Sequence, residues 1–383
     1  MLSDVLLYAI LLAAAFCLYW AAPGDRPNIR VNVLLYVSAA FILLVSPGGF
    51  LSVLCLFLVV FSSNKAFAHR KSLYLLSLSL LLCVLPLILS RTLGDLTLVF
   101  TLGVAFATVR SIGLVLDAYA GRGTTQNSRV ALYLFFFPLY AVGPVEKFET
   151  FEAKTFTSPF VFEDFYVGIA RVVYGVFLAH FICDSLIRSI IDNWLPGGES
   201  AFASFDVMSA WSFVFLKFLY TYLNFVAFTE IAIGTCRLFG MHIVENFNWP
   251  LISRNIADFW RRYHISMGNW ITRYLFFPVV GALRAKWAMY FASVFSFVMF
   301  GLWHAFTPNY LFWGGMHGAA IAIYHFYRNT GLDARIRQVP LISLSFGLIG
   351  GVMTICYVAW LQTFANLSSF SAGLELTSRM IGW

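Results

Sequence analysis

Apolar residues along this chain come in long blocks, and polar residues are confined to the short gaps between them. Ten blocks stand out, at residues 3–20, 31–46, 50–63, 72–90, 95–117, 163–188, 207–234, 287–304, 309–327 and 340–363. Runs of roughly 18 apolar residues match the length a helix needs to cross the hydrocarbon core of a bilayer. Backbone polar groups find no water there, so each run is predicted to be helical and the fold class is an all-α polytopic membrane protein. Two blocks depart from the pattern. Residues 130–147 are broken by Pro138, Gly143 and Pro144, and residues 268–283 are too short to cross. Proline removes a helix hydrogen bond and clashes with the preceding turn. Both blocks are predicted to be re-entrant, tilted or amphipathic, and broken backbone at membrane depth implies protein or a polar cavity against it.

Charge in the gaps orients the chain. Arg26 and Arg30 follow the first block, Lys65, Arg70 and Lys71 the third, and Arg110, Arg122 and Arg129 lie at or after the end of the fifth. The alternate gaps hold Ser-Pro-Gly-Gly (46–49) and a lone Arg91. Basic loops stay in the cytoplasm, which places the N-terminus outside. Arg254, Arg261, Arg262, Arg284 and Lys286 fall on the cytoplasmic side, as do Arg328, Arg335 and Arg337.

Composition sharpens this picture. Of 383 residues 60% are hydrophobic and only 11% charged, which excludes an ordinary soluble fold. The net charge of +7 resides in short loops, so it sets topology and gives no reason to expect a nucleic-acid partner. Membrane lipid is the expected surrounding. Aromatic residues reach 18%, more than interfacial belts require, so many are expected in the bundle interior or lining a pocket. Six cysteines lie in or beside apolar blocks without a CxxC pair, predicting neither disulfides nor a zinc site. The first block lacks a basic flank before it and an A-x-A site after it, and reads as a membrane helix rather than a leader. No repeat or linker divides the chain, so a single domain over 1–383 is expected.

One stretch concentrates charge. Residues 254–274 read RNIADFWRRYHISMGNWITRY, where five charged residues surround His264. At about 100° per residue a helix sorts Ile256, Phe259, Trp260, Tyr263, Met267 and Trp270 to one side, and Asp258, Arg261, Arg262, Asn269 and Arg273 to the other. Asp258 and Arg262 are four apart and can pair. Taken alone, this is an amphipathic helix at the membrane interface. A sharper role needs a second polar cluster.

The histidines supply it. His69 reads as solvated, His180 and His325 as packed helix residues, and His242 as a loop or capping residue. His304 ends an apolar block beside Trp303, in FGLWHAFTPNYLFWGG, and His317 follows in FWGGMHGAA among Gly314, Gly315 and Gly318. Glycines let membrane helices approach closely, and an ionisable residue there is a candidate functional group. The two histidines could also merely bond across helices. Metal binding has little support, because no H-x-x-x-H or H-x-x-E spacing exists. A histidine kept neutral by burial can accept a proton from an incoming hydroxyl. No Ser or Cys adjoins His304, so direct transfer between two substrates fits better than a covalent acyl-enzyme.

With these residues in view, NFNWPLISRNIADFWRRYHIS followed by GLWHAFTPNYLFWGGMHG resembles the membrane-bound O-acyltransferase family, in its bacterial branch that modifies envelope polymers. FFPLYAVGPVEKF and YLNFVAFTEIAIGTCRLFG (222–240) resemble further family segments, so the likeness covers about residues 130–330. Tyr263 stands where the family usually has Trp, Thr229-Glu230 where it has Ser-Asp, and Ile271-Thr272-Arg273-Tyr274 where it often has Leu-Arg-Asp-Tyr. The resemblance implies about eleven transmembrane helices around a central funnel. It implies transfer of a short acyl group, acetyl or D-alanyl, to a hydroxyl of an envelope polysaccharide, a teichoic acid or a partner protein. The donor would be a cytoplasmic thioester, acyl-CoA or a phosphopantetheine carrier protein, with no tightly bound cofactor and no metal. The acceptor, an envelope polymer or an extracellular partner acyltransferase, would come from the other face. By the same resemblance His304 is the general base and His264 the second catalytic histidine. Asn269, Trp303, Asp258 and His317 are placed with the substrates, and Arg261 and Arg262 suit a pantetheine phosphate. The short stretch after His317 is more like the compact D-alanyl-transferring type than the alginate type. A transporter for a polar substrate or a non-catalytic scaffold subunit are the rival readings; intramembrane histidines and broken segments fit a transporter as well.

Overall fold

The computed structural model describes residues 2–92, 98–124, 126–153, 156, 158–194, 198–331, 338 and 340–383; Arg335 and Arg337 lie outside them. The helices, in chain order, are α1 (Leu2–Ala21), α2 (Pro27–Val45), α3 (Pro47–His69), α4 (Leu73–Thr92), α5 (Leu98–Tyr119), α6 (Asn127–Phe135), α7 (Phe148–Ala153), α8 (Phe162–Phe177) and α9 (Ser189–Trp194). They continue as α10 (Val207–Leu238), α11 (Ile256–Arg262), α12 (Ile265–Ile271), α13 (Phe277–Leu283), α14 (Ala288–His304), α15 (Pro308–Asn329), α16 (Pro340–Asn366) and α17 (Phe370–Met380). Wider π-helical turns over Leu178–Arg188 join α8 to α9, and others over Thr272–Phe276 join α12 to α13. Among the described residues, six helices are long and apolar enough to cross a membrane, and Tyr8–Ala21 and Ala288–His304 are shorter apolar helices. This is a polytopic all-α protein, with one isolated bridge, Phe247 to Tyr263, as the β feature among the described residues.

Two compact units emerge, one of residues 1–175 and 228–244, the other of 176–227 and 245–383. In the first unit the usual polarity of a soluble helix is inverted. On α4, Ser79, Cys83, Leu87 and Ser90 are buried at three- and four-residue spacing while Leu78, Leu81, Leu82, Leu85 and Leu89 are exposed. Ser63 of α3 donates to Ser79 across the helix pair at 2.8 Å. Such packing suits lipid outside and small or polar groups inside. Gly168 and Gly234 face one another's carbonyls, so α8 and the end of α10 meet backbone to backbone.

The broken block 130–147 is buried against protein, as its prolines require. Helix α6 stops at Phe135, a 3-10 turn holds Phe137–Leu139, and Leu132, Phe136 and Tyr140 have no exposed surface. The fully buried Arg110 donates to the carbonyls of Tyr133, at 2.8 Å, and Leu139, replacing partners the helix break removes. Tyr133 donates to the Glu146 carbonyl at 2.6 Å, and the Glu146 carboxylate accepts from the Val244 amide at 3.1 Å.

In the second unit α14 and α15 form a tight antiparallel pair. A Cβ at Gly301 would overlap the Tyr310 carbonyl, one at Gly314 would overlap the Phe297 carbonyl, and one at Gly318 would sit 2.6 Å from the Val294 Cα. Of the glycines around His317, Gly314 and Gly318 are therefore packing residues of this pair, and Gly315 is not.

Candidate active site

The charged stretch does not form the uninterrupted helix its periodicity predicts. Asn255 caps α11, its side chain accepting from the Asp258 amide at 2.9 Å. After seven residues the helix ends. Tyr263 is extended and His264 takes the left-handed conformation, φ 51°, before α12 begins at Ile265. Residues 246–248 enforce the break. The Asn248 amide donates to the Arg262 carbonyl at 2.9 Å, and the Ile265 amide to the Asn246 carbonyl at 3.0 Å. A β-carbon at positive φ is strained, and such strain persists only where the surroundings hold it.

Asn246 is the principal holder. It is fully buried, and its Oδ1 accepts from the Ser266 amide at 3.2 Å, the Ser266 hydroxyl at 2.8 Å and His264 Nδ1 at 3.3 Å. A backbone N–H can only donate, so the atom facing it is the amide oxygen. His264 Nδ1 must then be the protonated ring nitrogen, and the lone pair resides on Nε2. The ring packs edge-on against Phe225, 4.7 Å between centroids, and lies 6.1 Å from Phe300. Burial pushes the His264 pKa down to about 3, with the neighbouring His304 a second cause. At neutral pH it is an uncharged base.

His304 closes α14 and is partly buried among aromatics. Its ring stacks on Tyr310, 5.4 Å apart at 17°, and lies 4.9 Å from Phe300, 4.7 Å from Trp303 and 5.6 Å from Trp313. Trp303 stacks on Phe300 at 17°. The two candidate catalytic histidines thus converge on one phenylalanine. His317 lies deeper and is fully buried. Its Nδ1 accepts from the Trp260 indole N–H at 3.4 Å, so its hydrogen bond goes to Trp260 and not to His304.

The charged residues divide. Asp258 is 8% exposed and Oδ1 accepts from Arg261 at 2.9 Å and Arg262 at 3.1 Å; Oδ2 accepts from the Arg254 amide at 3.2 Å. Burial would raise its carboxyl pKa, but that amide and the two guanidinium groups hold it below the usual range. Arg262 also donates to the Asn248 carbonyl, so it ties α11 to the preceding segment. Arg261 is 76% exposed along its side chain and borders a cavity of about 420 Å³. That cavity runs past Asn269, His264 and Phe300 to Ser296, Ser293 and His325. His325, expected to be a packed helix residue, lines the cavity instead. His242, expected in a loop or capping role, joins Asp164 and Arg237 in a charged cluster of the first unit.

Asn246 and Ser266 were not legible as site residues. Both are short polar side chains in a loop and at a helix start, and only the fold brings them to His264 over 18 and two residues. Phe300 was one phenylalanine among 41.

A polytopic helical membrane protein holding a buried histidine at the wall of a largely apolar cavity is the class that fold and site define. The chain belongs to the membrane-bound O-acyltransferase family, whose model matches residues 49–361. It is 28% identical to the teichoic acid D-alanyltransferase of Bacillus subtilis, over 64% of this chain and 66% of that protein. It is 29% identical to the probable alginate O-acetylase AlgI of Azotobacter vinelandii, over 70% and 54%. It is 24% identical to the peptidoglycan O-acetyltransferase of Helicobacter pylori, over 66% and 46%. The chain therefore spans between about half and two thirds of the length of these relatives.

Proposed function

We propose that this protein is a membrane O-acyltransferase moving a short acyl group, acetyl or D-alanyl, from a cytoplasmic thioester to a hydroxyl of the cell envelope. The acceptor is a polysaccharide, a teichoic acid or a partner acyltransferase on the outer face, and the chain resides in the cell membrane with its N-terminus outside. His304 accepts the proton of the attacking hydroxyl. The hydroxyl oxygen bonds to the thioester carbonyl carbon, the C–S bond breaks, and the leaving thiolate takes the proton from the imidazolium. His264, with its tautomer set by Asn246, orients donor or acceptor with Asn269. Arg261, exposed at the cavity edge, meets a phosphate of acyl-CoA or of a carrier protein's pantetheine arm, because guanidinium matches phosphate geometry. The observation that carries this reading is the convergence of His264 and His304 on the Phe300 ring beside the cavity; the relatives' activities favour acetyl or D-alanyl as the group moved.

The test is acyl incorporation into envelope polymer by membranes carrying the wild-type chain or His304→Ala at matched abundance. Removing a general base costs on the order of 10²–10⁴ in rate. Incorporation that survives His304→Ala would refute the assignment.

A further inference from the structure

Helix α15 starts without the usual support. Ala305, Phe306 and Thr307 link it to the end of α14, and Thr307, at the N-cap, makes no side-chain hydrogen bond to its first turn. The first amides of a helix have no intrahelical partner, so an uncapped first turn is the part that frays. Yet this turn carries Tyr310, whose ring stacks on His304 at 17°, more nearly parallel than Phe300, Trp303 or Trp313.

Asn309 supplies the missing support from outside the helix. It is 7% exposed, and its side-chain amide donates to the Phe364 carbonyl at 2.9 Å and to the Leu367 carbonyl at 3.2 Å. Both acceptors lie at the end of α16, where the last carbonyls have no helix amide to accept from. The Ser368 amide, four residues after Phe364, would continue the ladder, but it donates to Glu199 at 2.8 Å. Asn309 therefore closes the end of α16 and fastens the first turn of α15 with the same two bonds. On its other side the turn meets α14, where a Cβ at Gly301 would overlap the Tyr310 carbonyl.

We infer that Asn309 is a positioning residue for His304, acting through Tyr310. A general base works only within hydrogen-bond reach of the proton it takes, and a misplacement of about 1 Å costs on the order of 10²-fold. With the two bonds to α16 gone, the first turn of α15 loosens, the Tyr310 ring leaves the imidazole, and His304 turns through rotamers that miss the hydroxyl. This rests on the reading of His304 as the general base and adds what holds it in place.

The experiment measures the initial rate of acyl incorporation into envelope polymer in cells carrying the full-length chain, per copy in the membrane, with the cells' own donor and acceptor. Asn309→Leu and Tyr310→Leu are each expected to lower that rate about ten- to a hundredfold. Because both act through one contact, the double variant should fall no more than about twofold below the lower single variant. Trp211→Phe is the structural comparison. It deletes a side-chain bond to another helix-end carbonyl, Trp211 Nε1 to Met380 at 3.2 Å, which involves neither α14 nor α15. Its melting temperature should fall, as that of Asn309→Leu does, while its rate stays within about threefold of wild type. If Asn309→Leu does not accumulate, Asn309→Ser, which keeps one donor, should lower the rate about three- to tenfold. A rate within about threefold of wild type in Asn309→Leu, or a double variant whose loss is the product of the two single losses, would overturn the inference. Failure of the acyltransferase reading shows separately, as incorporation that persists in His304→Ala; loss in His304→Ala with none in Asn309→Leu removes only the role given to Asn309.

Discussion

Arg261 and Arg262 are adjacent in sequence and serve different ends. Arg262, bound to both Asp258 and the Asn248 carbonyl, stabilises the turn, so Arg262→Ala should destabilise the protein by about 1–3 kcal/mol in thermal unfolding by leaving a buried carboxylate short of a partner. Arg261→Ala should change stability by less than about 0.5 kcal/mol, as exposed charges do, while raising the KM for a phosphate-bearing donor. Asn246→Ala should cost about 1–3 kcal/mol by orphaning the Ser266 amide, and should lower kcat with it, because the His264 tautomer is no longer set. The pH dependence follows from the depressed His264 pKa. Above the unfolded value near 6.5 the ring is neutral in both states and costs nothing. Below it the unfolded chain gains a proton the folded one refuses, so stability falls with pH from about 6.5 toward 3. Urea midpoints at pH 7.5 and 5.0 should therefore differ, and differ less in His264→Gln. His264 and His304 were legible because an ionisable side chain in an apolar stretch stands out. Asn246 was not, because an asparagine near Trp-Pro reads as a turn until the fold shows what it caps.

Among the elements, the tight pair α14–α15 depends on glycine where backbone meets backbone. Gly314→Ala places a methyl into the Phe297 carbonyl and should destabilise by about 1–3 kcal/mol. Gly315→Ala, whose Cβ would meet nothing nearer than 4.0 Å, should be silent, and melting temperatures of the two variants compare them directly. The sequence placed helix blocks and the break within residues 130–147, since composition and proline act locally, whereas residues 268–283 run as helix through the π-helical turns at Thr272–Phe276. It missed the break at His264. The heptad-like spacing of aromatics there runs straight through, and the interruption comes from backbone bonds to residues 246–248, which no local pattern records.

Across the molecule, the charge pattern of the gaps makes a topological prediction that needs no chemistry. With native cysteines replaced, a membrane-impermeant maleimide applied to sealed cells should label Gly48→Cys and spare Arg26→Cys and Arg70→Cys, since basic loops stay in the cytoplasm; labelling of Arg26→Cys in intact cells would reverse the orientation proposed. The sequence by itself determined the all-α membrane class, the family likeness and the two histidine-bearing regions, because apolar length, loop charge and a rare ionisable side chain are properties of short stretches. Tertiary structure alone decided that His264 is held left-handed by Asn246, that it and His304 meet at Phe300, and that Arg262 is bound to Asp258. Those outcomes depend on which distant backbone and side-chain groups are brought within hydrogen-bond reach, and periodicity carries no information about partners across a fold.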